Sequence, residues 1–239
     1  MNFRGLYKAA GVCAIGYALI VLAIYAISVS TNGFMAESTA PPSPDRILQL
    51  AQASGNRTAA QLDLLSYFLW VPALVGLFIY LRERRPGRAH LGGALAAFAL
   101  IGFFAASAMN SATISLAQGP VTDALRDRLA VLSLLSFSWL LPAIYAINLS
   151  NLLWGLALRT QAGLAKIAGN LFLAQIVGFI IADGGFLARR DTIFNLGILI
   201  STLALVATYA AAGIVLGRAS KGEAETVAPE KPRAAGASA

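Results

Sequence analysis

Charged residues are scarce in this chain of 239 residues, where they make up 12% of the sequence, about half the share found in an ordinary soluble domain. Apolar residues make up 58%, and the mean hydropathy is +0.70. A water-soluble fold of this length cannot usually hide so much apolar surface behind so few charges. The composition therefore predicts an integral membrane protein and excludes a disordered or collagen-like chain.

Cysteine and histidine each occur once, as Cys13 and His90. One cysteine cannot form an intrachain disulfide, and one histidine cannot build a bis-histidine haem site or a multi-histidine metal site. The sequence also lacks a glycine-rich phosphate loop, a zinc-protease helix motif and a nucleophile elbow. We therefore predict no catalytic residues, no metal site and no cofactor.

Six long apolar runs dominate the chain, each with the roughly 20 residues that a helix needs to cross a bilayer. They cover residues 6–30, 62–82, 91–117, 129–158, 163–187 and 193–217. Backbone hydrogen bonding in lipid requires each run to be helical. The sequence thus predicts an all-α, polytopic transmembrane bundle of six spans over residues 1–218. The polar residues 219–239 are predicted to form a disordered cytoplasmic tail.

Basic residues are unevenly divided between the two sides of such a bundle. Twelve Lys and Arg residues fall on the side of the termini and six on the other. The positive-inside rule then places both termini in the cytoplasm. The net charge of +7 reflects this topology, so we predict a lipid bilayer and not a nucleic acid as the partner of the basic residues.

The first apolar run has two interpretations. Arg4 and Lys8 precede it, and Ser28-Val29-Ser30 resembles a signal-peptide cleavage site. The run is, however, longer than the 7–15 residues of a typical signal core. We expect a retained helix, with a cleaved signal as the alternative.

The segment 31–61 contains the signature of a short additional helix. Ser43, Pro44 and Asp45 supply a capping hydroxyl, a first-turn proline and an acid at the helix start. Ile47, Leu48, Leu50 and Ala51 give it an apolar face, and Gly55-Asn56 are predicted to end it. It is interpreted either as an interfacial helix on the outer leaflet or as a helix of a surface loop.

Small residues recur at helical spacing on three spans, which favours close helix packing in lipid. The stripes are Asn170, Ala174, Gly178 and Ala182; Gly197, Ser201, Ala204, Thr208 and Ala211; and Ser136, Ala143, Ser150 and Ala157. The alternative is a small-residue lining for a substrate path. Asn148, Asn151 and Asn170 form an inner polar set, predicted to link helices by amide hydrogen bonds.

Polar side chains also collect at the outer depth of several spans, where they predict a ligand-binding pocket. The candidate residues are Asp63, Ser107, Asn110, Ser111, Ser136, Asp183 and Asn195. A carboxylate within a span must face protein or water, so Asp183 is expected to face the protein interior or this pocket, with Arg128, Arg189 and Arg190 as candidate partners. The competing interpretation makes Asp183 an interfacial acid before the Gly184-Gly185 turn.

The order of these features resembles the bacterial membrane-protein family catalogued as domain of unknown function 4386. The resemblance covers most of residues 5–217 and is carried by Ala9-Ala10-Gly11-Val12, Leu62-Asp63-Leu64-Leu65, Leu81-Arg82-Glu83-Arg84-Arg85-Pro86, Leu153-Trp154-Gly155-Leu156-Ala157-Leu158-Arg159 and Lys166-Ile167-Ala168-Gly169. Residues 160–164 depart from the Ser-Gly-Tyr-x-Pro-Arg-like turn of that family. The resemblance implies a six-span protein of a bacterial inner membrane and no particular activity.

Three functions remain open at this point. The leading hypothesis is a non-enzymatic inner-membrane protein that binds a small or lipidic ligand or assists a partner membrane protein. The first alternative is a small transporter that uses the outer polar pocket. The second is a membrane enzyme acting on a lipid, with Asp63 or Asp183 as acid or base.

Overall fold

The computed structural model describes residues 3–33, 39 and 42–222 of the chain. Within them the chain forms seven α-helices: α1 (Arg4–Asn32), α2 (Pro44–Gln52), α3 (Ser54–Arg82), α4 (Pro86–Leu116), α5 (Asp123–Leu158), α6 (Gly163–Leu187) and α7 (Asp191–Ser220). All of them except α2 are long and apolar enough to cross a membrane. The predicted all-α transmembrane bundle of six spans is confirmed, and the orientation of its termini stays a prediction.

The six long helices form a closed ring. Each packs against the next long helix in the chain, and α1 packs against α7 to complete the circle. Helix α3 also reaches across the ring to touch α5 and α7. We call the end that carries the α3–α4 and α5–α6 turns the terminal end, since α1 begins and α7 finishes there. The opposite end, with α2 and the α4–α5 and α6–α7 turns, is the first-loop end.

Small residues join α6 to α7, as their spacing predicts. Gly178, Ala182 and Gly197 are buried, and a Cβ added to Gly197 would lie 2.7 Å from the carbonyl oxygen of Gly178. Such close backbone contact stabilises helices in lipid through van der Waals packing. Asn170, the first residue of the predicted stripe, is exposed and takes no part.

The seven-residue repeat on α5 forms its seam with α4. Ala143 is fully buried beside Gly102, while the hydroxyls of Ser136 and Ser150 donate hydrogen bonds to the carbonyl oxygens of Ala106 (3.1 Å) and Gly92 (2.8 Å). Each serine therefore satisfies its hydroxyl on the neighbouring backbone, which permits burial in an apolar seam.

The short helix α2 begins as predicted and is covered by protein. The Ser43 hydroxyl accepts a hydrogen bond from the Arg46 N–H (3.2 Å), and Pro44 occupies the first turn. The apolar face of α2 packs on the first-loop ends of α3, α4 and α5, where it meets Ala60, Ile114, Ala117 and Leu129. Its apolar contacts are thus with the bundle.

Several predicted helix boundaries differ from the structure. Helix α2 ends at Gln52 and α3 begins at Ser54, so Gly55-Asn56 belong to α3 and do not terminate α2. The Asn56 amide donates hydrogen bonds to Leu50 O (2.8 Å) and Asn32 Oδ1 (3.3 Å), which fixes this start. Helix α7 continues to Ser220, two residues past the predicted boundary. The predicted disordered tail begins at residue 219, and its part from residue 223 onward lies outside the described residues.

Candidate ligand-binding site

Asp63 lies on the interior face of α3, in its first-loop half. Residues one turn away on the same face, Ala60, Ser66 and Tyr67, are all buried. The Ser107 hydroxyl of α4 donates a hydrogen bond to Asp63 Oδ2. The Tyr67 hydroxyl lies 2.9 Å from Ser107 Oγ and 3.4 Å from the same Oδ2 atom. These two hydroxyls fix the carboxylate against the α3–α4 seam.

The second carboxylate oxygen, Asp63 Oδ1, is free for another partner. It forms no hydrogen bond with the described residues, and it is not completely enclosed by them. No ion pair to Asp63 is found among those residues either. An acid at this depth is costly unless protein or water faces it.

Asn110 lies one helical turn from Ser107 on α4 and differs from its neighbours in exposure. Its neighbours one turn away in either direction, Ala106, Ser107, Thr113 and Ile114, are all buried, whereas Asn110 itself is exposed. Residues three and four apart share one face of a helix, so this face is directed at the interior. From this pattern we infer a space between helices beside Asn110.

Aromatic rings close the site below Asp63. Trp70 stacks on Tyr17 of α1 with ring centroids 5.4 Å apart, and its indole N–H donates a 2.6 Å hydrogen bond to the hydroxyl of Tyr209 on α7. The Tyr67 and Phe103 rings contact Trp70 from the sides, at 6.1 and 5.6 Å. The site therefore has a polar rim and a bulky aromatic floor.

The remaining predicted site residues are dispersed. Ser111 is half-buried on α4, and Ser136 is occupied with the Ala106 carbonyl. Asn195 is buried on α7, where its amide donates to the Asp191 carbonyl oxygen within its own helix (2.7 Å). The structure thus brings Asp63 and Ser107 into contact and places Asn110 beside them, while the other members have separate surroundings.

Asp183 lies at the α5–α6 seam and accepts a 3.0 Å hydrogen bond from the hydroxyl of Tyr145, a side chain that is 42% exposed. None of the three candidate arginines pairs with it, since the ion pairs among the described residues join Arg84 to Glu83 and Arg126 to Asp45 and Asp123. Helices α3 and α6 do not touch, so Asp63 and Asp183 belong to different helix pairs.

Sequence reasoning missed two features of the interior. Tyr67 and Trp70 join the site, and the only signal for Tyr67 is its position four residues after Asp63, on the same helix face. Gln175 replaces Asn170 in the inner polar set, where its Oε1 accepts a hydrogen bond from the fully buried Asn151 amide (3.2 Å). Gln175 follows Phe172 by three residues and so shares its buried face of α6, which is the pattern that could have indicated it.

A second depression lies between the end of α4 and the start of α5. Its volume is about 430 Å³, and Leu116, Asp127, Arg128, Val131 and Leu132 line it. The depression is shallow and holds no buried polar group. The described residues contain no group of three His, Cys, Asp or Glu side chains that could hold a metal ion.

Comparison of the chain with known protein families, with curated proteins and with solved structures finds no match. The chemistry of the site is therefore argued from its own residues. A fixed carboxylate, two hydroxyls and an amide above an aromatic floor can bind a small molecule through polar contacts at one end and apolar contacts at the other.

Proposed function

We propose that this protein is a non-enzymatic, multi-pass protein of a bacterial inner membrane that binds a small ligand in the space beside Asp63 and Asn110. The proposal takes the terminal end as cytoplasmic, in line with the excess of basic residues there. The ligand then enters from the outer side. The resemblance to domain of unknown function 4386 supports the six-span architecture and the bacterial membrane.

The observation that carries the proposal is the exposed Asn110 among buried neighbours on an interior helix face. Ser107 lies one turn away on the same helix and donates a hydrogen bond to the carboxylate of Asp63. Largely pre-formed openings with a few convergent polar groups are the usual form of small-molecule sites.

Thiol labelling tests whether this space is wet. With Cys13 replaced by alanine, Asn110→Cys should react with a water-soluble, membrane-impermeant maleimide, because a thiol ionises only in contact with water. The matched control is Ala108→Cys, exposed on the same helix on the side away from the interior. We expect labelling of Asn110→Cys to be about tenfold faster or more. Equal rates at the two positions contradict an interior opening.

The transporter alternative has one observation in its favour. No residue of α5 from 130 to 142 is buried, and Pro142 lies inside that helix at the end of this stretch. Loosely packed helix segments at a proline are suited to hinge motion. If the protein transports its ligand, Asn110→Cys in inverted vesicles, which present the terminal end, should also become reactive when ligand is added.

An enzyme acting on a lipid is less well supported. Its minimal equipment is a pair of carboxylates at one site, and the helices that carry Asp63 and Asp183 do not touch. Each acid is bound to hydroxyls of its own surroundings, Ser107 and Tyr145 respectively.

A further inference from the structure

We infer that the Asp63 site selects a small organic cation, such as a protonated amine. The inference rests on the proposed ligand-binding function and names the chemical class of the ligand. Three features carry it: the charge distribution of the spans, the donors that already occupy the carboxylate, and the aromatic surroundings.

The spans themselves contain no cation for Asp63. Within the six apolar runs, the only acidic side chains are Asp63 and Asp183, and the basic ones lie near the ends of the runs. Helix α4, which packs on Asp63, has none from Ala89 to Leu116, and α1, α5 and α7 likewise have none in their apolar runs beyond Lys8. The described ion pairs all lie at the ends of the bundle. No described residue therefore neutralises Asp63 through an ion pair, which leaves its charge for a bound cation.

The hydroxyl partners favour an organic cation over a metal ion. The Ser107 hydrogen is directed at Asp63 Oδ2, and the Tyr67 hydroxyl is engaged with the same two oxygens. Hard metal ions require about six oxygen ligands, and the described residues offer no second carboxylate here. An ammonium group needs one free carboxylate oxygen, and Asp63 Oδ1 provides it.

Aromatic rings complete the recognition. Tyr67 follows Asp63 by one helical turn. Its ring contacts Trp70, which in turn stacks on Tyr17. Aromatic faces attract cations through their quadrupole, and organic ammonium ions are the ligands for which this matters most. The Asn110 amide adds a hydrogen-bond acceptor at the open side. A compact ligand with one ammonium group and a small apolar body fits this arrangement.

Calorimetry on the full chain in lipid nanodiscs tests the inference with three matched probes: benzylamine, benzyl alcohol and benzoate. Empty nanodiscs supply the background from partition into lipid. We expect saturable binding of benzylamine alone. Asp63→Asn should weaken it about tenfold or more, since a close charge pair is lost. Asp63→Glu, which keeps the charge, should retain measurable binding, and Asp183→Asn should bind as the wild type does.

Several results overturn the inference. These are equal benzylamine binding by wild type and Asp63→Asn, stronger binding of benzyl alcohol or benzoate, and no saturable benzylamine binding by a wild type that circular dichroism shows to be helical. If benzoate binds saturably and this binding is lost in Asn110→Leu, the proposed ligand site is supported and only its preference for a cation is refuted. If Asn110→Cys does not react with the maleimide and none of the three probes binds, both the ligand site and its preference for a cation are refuted.

Discussion

Tyr209 is 1% exposed, and its hydroxyl serves the buried indole of Trp70 as hydrogen-bond acceptor at 2.6 Å. The same residue forms an edge-to-face contact with Tyr17, with centroids 4.8 Å apart, and a second with Phe172 at 6.2 Å. One side chain of α7 thus touches groups of α1, α3 and α6. The hydrogen bond from its indole N–H to Tyr209 holds Trp70 in place below Asp63.

We predict that Tyr209→Phe lowers the free energy of unfolding by about 1–2 kcal/mol, because it leaves a buried indole N–H without an acceptor. Tyr145→Phe is the control, since it removes a hydroxyl that lies at an exposed seam and should change stability by less than about 0.5 kcal/mol. Both are measured by denaturant unfolding in micelles. Equal losses for the two variants would contradict the assigned role of Tyr209.

At the residue scale, the sequence predicts how deep a polar side chain lies along its span. It does not predict which neighbouring helix that side chain faces. Asp63, Ser107 and Asn110 were placed together because they fall at the same depth of neighbouring spans. Asp183 falls at that depth as well, yet the structure turns it to Tyr145. The rotation of a helix about its axis depends on which partner it packs against, and a nearly all-apolar helix carries little amphipathic signal to fix it.

At the element scale, the glycines of α6 and α7 illustrate what spacing can predict. Gly178 and Gly197 approach so closely that neither has room for a side chain. Gly184, on the same helix as Gly178, has open space around its Cβ position. The pattern alone predicts a close helix pair, but only the structure separates the glycine that packs from the glycine that does not.

We therefore predict that Gly178→Leu destabilises the protein by about 2 kcal/mol or more through overpacking, with a visible loss of folded protein on size-exclusion chromatography. Gly184→Leu is the matched control on the same helix and should behave as the wild type. If Gly184→Leu is the more damaging change, the assigned α6–α7 contact is incorrect.

Helix ends were less predictable than helix contacts. Hydropathy reports the thickness of the apolar layer, whereas a helix ends where its backbone finds other partners. Residues 54–61 are polar and lie beyond the apolar run, but the Asn56 amide bonds to Leu50 and Asn32 and starts α3 there. The capping residues of α2, in contrast, were readable because Ser43 acts through its own side chain.

On the scale of the whole molecule, the orientation of the bundle follows from charge. We predict that alkaline phosphatase fused after Gly222, just beyond α7, is inactive because the fusion lies in the cytoplasm. The matching control is a fusion after Gln118 at the first-loop end, which should be active. High activity after Gly222 would reverse the proposed direction of ligand entry.

The residues after Gly222 are expected to be dispensable, since the sequence there is too polar to bury a core. Deleting residues 223–239 should leave membrane expression and the Tm nearly unchanged. Deleting residues 215–239 is the control, because it removes the buried Val215 and Leu216 from α7 and should lower the yield of folded protein. A comparable loss from the shorter deletion would show that the tail docks on the bundle.

Closure of the ring has a consequence for biosynthesis. A Cβ at Gly11 of α1 would lie 2.7 Å from the carbonyl oxygen of Gly213, so α1 packs against α7, the last of the six described spans to be translated. Helix α7 also supplies Gly197 to α6. Until α7 is translated, the small-residue faces of α1 and α6 lack the helix that packs against them. Lesions in this final helix should therefore lead to degradation of the entire nascent protein by membrane quality control.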